Sequence, residues 1–135
     1  MTQYPVKILI AFGEAVSGSP KFLYWLMNNG YPELAALANA IHTNEDAFNW
    51  LMKNQFSHFG AFSKAVWDDE NALNWLKKNK FEFMAIFAEA SAGKEESLQW
   101  LDNNDLKLFS ILSKKIYIYK IRKQDDLSDY HKIQF

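Results

Sequence analysis

A chain of 135 residues suits one domain, and its 49% hydrophobic and 16% aromatic content supplies a core, which excludes a disordered chain. The formal charge of −1 lacks the basic excess with which proteins grip a run of phosphates. Cysteine is absent, so disulfides and thiolate metal sites are excluded, and a reducing compartment fits the composition. No apolar run approaches the roughly 18–20 residues that span a bilayer. The stretch Lys7-Ile8-Leu9-Ile10-Ala11-Phe12 is cut short by Gly13 and Glu14, too early for a secretory signal. A soluble, cytoplasmic protein without a membrane partner is expected.

Tryptophan sets the organisation. Trp25, Trp50, Trp75 and Trp100 recur every 25 residues, and only Trp67 falls outside the series. Other columns follow: Leu26, Leu51, Leu76 and Leu101 come one residue later, and Asn29, Asn54, Asn79 and Asn104 four residues later. Leu37, Phe62, Phe87 and Leu112 come twelve later. Repetition at 20–50 residues marks stacked supersecondary units. An all-α fold is therefore expected, an α-solenoid of four helix-turn-helix repeats with an N-terminal capping helix. The helical domain takes residues 1–123, with repeats at about 17–41, 42–66, 67–91 and 92–116, and leaves 124–135 as a C-terminal tail.

In chain order, the first element is a lone helix. Counting back one period from Trp25 places Val6, Leu9, Phe12, Ala15 and Val16 on the apolar columns of the later second helices. Ile10 then sits on a column that otherwise holds small residues, as suits a cap with no preceding neighbour. The first helix of each hairpin starts at Ser19-Pro20, Asn44-Glu45, Asp69-Glu70 and Lys94-Glu95. Ser, Asn and Asp cap orphan amides, and Pro or Glu suits a first turn; Lys94 departs from the pattern. The recurring Asn, with Gly30 beside it, ends this helix, because Asn and Gly tolerate left-handed backbone. The second helix covers about Pro32–Ile41, Ser57–Val66, Glu82–Ser91 and Lys107–Ile116. Its small columns, Ala35, Gly60, Ala85, Ser110 and Ala38, Ser63, Ala88, Ser113, permit close backbone approach. A hairpin this short cannot bury its own apolar face, so neighbouring units cover one another, with the four indoles packed between them. The alternative for the indoles is a ladder that stacks a ligand. After Ile116 the pattern fails, and Tyr117–Ile121 either extends the helix or turns to strand; continuity favours helix.

The stretch Asn29-Gly30-Tyr31-Pro32-Glu33-Leu34-Ala35-Ala36-Leu37 resembles the helix-turn-helix centre of an ankyrin repeat, and the turns at Asn54-Gln55, Asn79-Lys80 and Asn104-Asp105 are similar in place. The 25-residue period leaves no room for the β-turn fingers, and no Thr-Pro-Leu-His opening occurs. The resemblance implies a distantly ankyrin-like array without fingers, right-handed by analogy, and a protein-binding module.

Chemistry is sparse. His42, His58 and His131 show no metal spacing, no phosphate-cradling glycine loop or nucleophile elbow occurs, and Asp68-Asp69-Glu70 lies at a helix start where negative charge is favoured. No enzyme, metal or cofactor is expected. Binding has three candidates. Tyr24, Asn49, Asn74 and Gln99 precede each Trp and form a stripe opposite the apolar arc. Trp67 stands out of register as an aromatic anchor. Lys114, Lys115, Lys120, Arg122 and Lys123 form a basic run. The expected function is a non-catalytic protein-interaction module, an adaptor, scaffold or inhibitor, binding a protein or peptide through the stripe and Trp67. The alternative is a nucleic-acid-binding helical repeat using the Asn/Gln stripe and the basic run.

Overall fold

A computed structural model describes the backbone of residues 1–133 and the side chains of residues 1–127. Among the described residues it holds nine helices and no strand: α1 (Val6–Val16), α2 (Pro20–Asn28), α3 (Pro32–Ile41), α4 (Glu45–Lys53), α5 (Ser57–Ala65), α6 (Glu70–Lys78), α7 (Glu82–Ala92), α8 (Glu95–Asn103) and α9 (Lys107–Ile133). None is long and apolar enough to cross a membrane. Each of α2, α4, α6 and α8 is nine residues long.

Local chemistry fixes these boundaries. Pro20 and Pro32 open α2 and α3 at a first-turn position, where a missing amide costs nothing. The side chains of Asn44 and Asp69 accept from the amides of Ala47 and Ala72 at 2.9 and 3.1 Å. Ser19 and Lys94 stand in the same place without a side-chain cap. The short helices all end alike: the amides of Tyr31, Phe56, Phe81 and Leu106 donate to the carbonyls of Leu26, Leu51, Leu76 and Leu101 at 2.9–3.0 Å. This six-to-one closure requires one left-handed residue. That residue is Gly30, Gln55, Lys80 or Asp105, with φ between 58° and 91°. The preceding Asn, expected to take the left-handed conformation itself, has φ between −96° and −117°. Its amide instead donates to the Trp carbonyl four residues back, at 2.7–2.8 Å in all four hairpins. Gly18, Thr43, Asp68 and Gly93 take φ between 69° and 112° after the odd-numbered helices, again every 25 residues.

The odd helices carry the core. Phe12, Leu37, Phe62, Phe87 and Leu112 are at most 1% exposed, and the rings of Phe62 and Phe87 lie 4.7 Å apart. The small columns are buried, and a Cβ on Gly60 would come within 2.8 Å of Met52 Sδ, which accounts for glycine in mid-helix. From α2 to α8, each even helix packs on the odd helices before and after it, and consecutive odd helices pack on each other. This packing is consistent with a helical repeat. The row also closes: α1 packs directly on α9. Leu112 reaches the face of Gly13, where an added Cβ would come within 2.8 Å of Leu112 Cδ2, and Lys115 Nζ approaches Glu14 Oε1 at 3.5 Å.

The indoles do not behave as expected. Leu26, Leu51, Leu76 and Leu101 are the fully buried residues of the even helices, whereas Trp25, Trp50, Trp75 and Trp100 remain 36–43% exposed. Trp lies at the edge of the apolar arc, and there its ring stacks on the turn that follows rather than entering the core. Trp25 stacks on Tyr31, Trp50 on Phe56 and Trp75 on Phe81, with centroids 5.9–6.5 Å apart and planes within 11°.

The last helix does not stop at Ile116 or at residue 123 but continues to Ile133. No glycine or proline occurs between Lys107 and Ile133 to end it. Of the expected 124–135 tail, residues 134 and 135 lie outside the described residues, as does the side chain of His131.

Candidate binding surface

The stripe positions fall where the even helices turn away from the core. Tyr24, Asn49, Asn74 and Gln99 are all exposed, Tyr24 at 64%. Each occupies the same register position on α2, α4, α6 or α8, one residue before the stacked indole. The amides of Asn29, Asn54, Asn79 and Asn104 are committed to backbone carbonyls, whereas the stripe amides project from mid-helix with the chain's own backbone already paired.

Beside the stripe lie grooves between successive even helices, which the Trp spacing alone does not reveal. One, between α2 and α4, is lined by Met27, Ala36, Asn39 and Trp50. Its counterpart one period on, between α4 and α6, has a volume of about 650 Å³ and is lined by Met52, Ala61, Lys64 and Trp75. Lys64 donates to Glu45 at 2.8 Å and stands 4.5 Å above the ring of Phe48, so the cation on this wall is already partnered. Met27 and Met52 are 51% and 45% exposed, and adaptable thioethers beside flat indoles give these walls a mouldable apolar character. The signal for the grooves is the residue two after each Trp, methionine in the first two hairpins.

Trp67 lies elsewhere. It follows α5, is half-buried, donates its indole N–H to the Ile41 carbonyl at 2.9 Å, and meets Tyr119 edge-on at 6.5 Å. One period earlier, His42 Nε2 bonds the Val16 carbonyl at 2.7 Å, and its ring lies 4.3 Å from Tyr119. Both side chains tie the end of one odd helix to the end of the preceding one, and the long α9 crosses them through Tyr119. The structure therefore brings Tyr24, Asn49, Asn74 and Gln99 onto equivalent positions and places Trp67 at the odd-helix ends, apart from them.

Charge is similarly allocated. Lys120 is 4% exposed and donates to Asp68 at 2.8 Å and to the Ala92 carbonyl at 3.3 Å. With Lys115 on Glu14, two of the five cations of the basic run are engaged within the fold. Of the carboxylate cluster, Asp69 caps α6 and Asp68 holds Lys120. At the other end of the odd helices, His58 stacks on Phe81 at 4.9 Å, and burial followed by the nearby N-terminal ammonium lowers its pKa. Burial raises the pKa of Glu33. Tyr4 is pushed up to about 12 by burial, with Glu33 and Tyr31 adding to the effect.

No family model matches this sequence, and no curated protein or solved structure matches it.

Proposed function

We propose that the protein is a non-catalytic interaction module of the cytoplasm, a solenoid of four 25-residue hairpins whose N-terminal helix α1 closes the row on α9, distantly ankyrin-like without fingers. It acts as an adaptor, scaffold or inhibitor. A protein or peptide lies across the even helices, where the amides of Asn49, Asn74 and Gln99 bond its backbone and Tyr24 packs at one end. The apolar grooves beside the indoles take its side chains. The observation that carries this reading is the exposure of four polar side chains at one register position on successive helices, bordered by periodic apolar grooves. Trp67 contributes through the ends of the odd helices rather than through the stripe.

The alternative, a nucleic-acid-binding repeat, draws on the same amides and on Lys114, Arg122 and Lys123, the exposed cations of the basic run. Two experiments separate the readings. Affinity capture from the native source with the wild-type chain and with a Tyr24→Ala, Asn49→Asp, Asn74→Asp variant should retain a protein on the first and lose it on the second. Equal retention would discard the stripe. Titration of mixed-sequence oligonucleotides at low salt should give no binding. Saturable binding that falls steeply as salt rises would instead favour the alternative.

A further inference from the structure

Every junction between consecutive odd helices is bridged from outside by a nine-residue helix, except one. Where α9 meets α1, no even helix among the described residues packs on both of them. The residues that would lie beneath such a helix are apolar and open to solvent. On α1, Val6 and Ile10 are 61% and 49% exposed. They lie one turn apart on the stripe that leads to Gly13, which meets Leu112 of α9. Ile10 occupies the column of Ala35, Gly60 and Ala85, which are buried elsewhere. Gly60 shows what that column faces, since its neighbours are Met52 and Phe48 of the preceding even helix. On α9, Ile111 is 47% exposed in the column of Ala36 and Ala61, which border the following even helices α4 and α6. Ile118, two turns further on, is 48% exposed but borders the groove against Leu98 of α8 rather than α1. The Glu14–Lys115 pair spans the two rows.

We propose that this seam is a docking site for one short amphipathic acidic helix of another protein, taking the place an even helix takes at the other four junctions. Those junctions define the occupant's apolar face: Leu or Phe followed three residues later by Leu, as in Leu23 and Leu26, Phe48 and Leu51, Leu73 and Leu76, Leu98 and Leu101. The charge at the rim defines its polar face. Lys107 and Lys114 occupy the columns of Ser57 and Lys64, which line the groove toward the following even helix, and Lys115 pairs with Glu14 across the seam. A second copy of this chain would set the same lysines against each other, whereas a helix with acids in its first turn, like Glu45-Asp46 of α4, meets them with opposite charge. The site is separate from the stripe and stands or falls without it.

The probe is a fluorescein-labelled synthetic peptide reproducing residues 43–56 of this chain with Lys53→Glu, read by fluorescence anisotropy against the full-length protein. Saturable binding is expected, weakened about tenfold or more by the pair Ile10→Asp and Ile111→Asp, and by the pair Lys107→Glu and Lys114→Glu, as for loss of a central apolar anchor or of facing charges. These side chains are exposed, so circular dichroism and thermal midpoint should match the wild type. A peptide with Phe48→Ala and Leu51→Ala should not bind. The stripe variant Asn49→Asp, Asn74→Asp should bind the peptide as the wild type does; if it does not, the peptide sits on the other surface and the seam proposal fails. It fails equally if no saturable binding occurs, if the seam variants bind unchanged, or if sedimentation finds a dimer that Ile111→Asp dissociates.

Discussion

The amino group of Lys120 donates to a carboxylate oxygen of Asp68 at 2.8 Å, joining positions 52 residues apart. The two ends of this bond differ in environment: the lysine side chain is 4% exposed and the aspartate side chain 67%. Burial of a Lys stem and head is tolerated only where its donors are used, and the Ala92 carbonyl takes a second one. Lys120→Ala should therefore cost about 2 kcal/mol, through lost packing and lost hydrogen bonds. Asp68→Asn keeps an acceptor and an amide-bearing residue suited to positive φ, and should cost less than about 1 kcal/mol. Urea unfolding of the two variants measures the difference; equal losses would mean the charge, not the burial, dominates.

Thr43, with φ of 70°, and Lys80, with φ of 67°, occupy left-handed positions that glycine holds in other hairpins. Thr43→Gly and Lys80→Gly should each raise stability by roughly 0.5–1 kcal/mol by removing the Cβ clash. Gly30→Ala should lower it by about 1 kcal/mol, although a Cβ there meets nothing within 4 Å, so the loss is purely conformational. Chemical denaturation midpoints check all three.

Leu76 and Trp75 are adjacent in sequence but differ in burial, 0% against 38% exposed. Leu76→Ala should cost about 3 kcal/mol as a core cavity. Trp75→Ala loses one face-on stacking contact with Phe81 and should cost about 1–2 kcal/mol. A larger loss for the tryptophan would overturn the assignment of Leu76, rather than the indole, to the core.

The period, the helix starts and the buried columns were legible in the sequence because each depends on local chemistry repeated every 25 residues. Proline or a capping side chain opens a helix, and a left-handed residue closes it. The exposure of Trp75 was not legible, because an apolar arc does not say whether a residue at its edge points inward or across the turn. Lys120 was hidden in a basic run whose members look alike until tertiary packing buries one of them. The extension of α9 lay beyond the last repeat column, where only continuity with the preceding helix favoured helix over strand. The contact between α1 and α9 depends on the curvature of the whole row, which no single period encodes. For the candidate surface, the stripe followed from register, whereas the grooves beside it depend on how far apart neighbouring helices stand.

Two asparagines of one helical hairpin, five residues apart, give a further test. Asn79 donates its amide to the Trp75 carbonyl at 2.8 Å and closes α6, so Asn79→Ala should cost about 1 kcal/mol. Asn74 is exposed in mid-helix, and Asn74→Ala should change stability by less than about 0.5 kcal/mol. Thermal melts of both variants read this directly, and a large loss at Asn74 would make the stripe structural.

The lowered pKa of His58 links folding to pH. A base whose folded pKa lies below its unfolded value of 6.5 takes up protons more readily when unfolded. Its contribution is complete above pH 6.5 and declines as pH falls toward the folded pKa. Glu33, raised from 4.5, acts in the opposite sense at lower pH, stabilising most below 4.5 and losing that contribution as pH rises through its folded value. His58→Gln should flatten the stability profile just below pH 6.5 while leaving the Glu33 limb in place. Unfolding midpoints taken across that range test it.

Direct packing of α1 on α9 gives the array a fixed head count. An open row of hairpins can gain or lose a member by duplication or deletion and still present two free ends. Here an inserted unit would drive Gly13 away from Leu112 and strand both surfaces in water, and a deleted one would leave too few helices to come round. Such a molecule cannot be lengthened by adding units, so any change in the surface it presents must come from side chains exchanged on a frame of constant size.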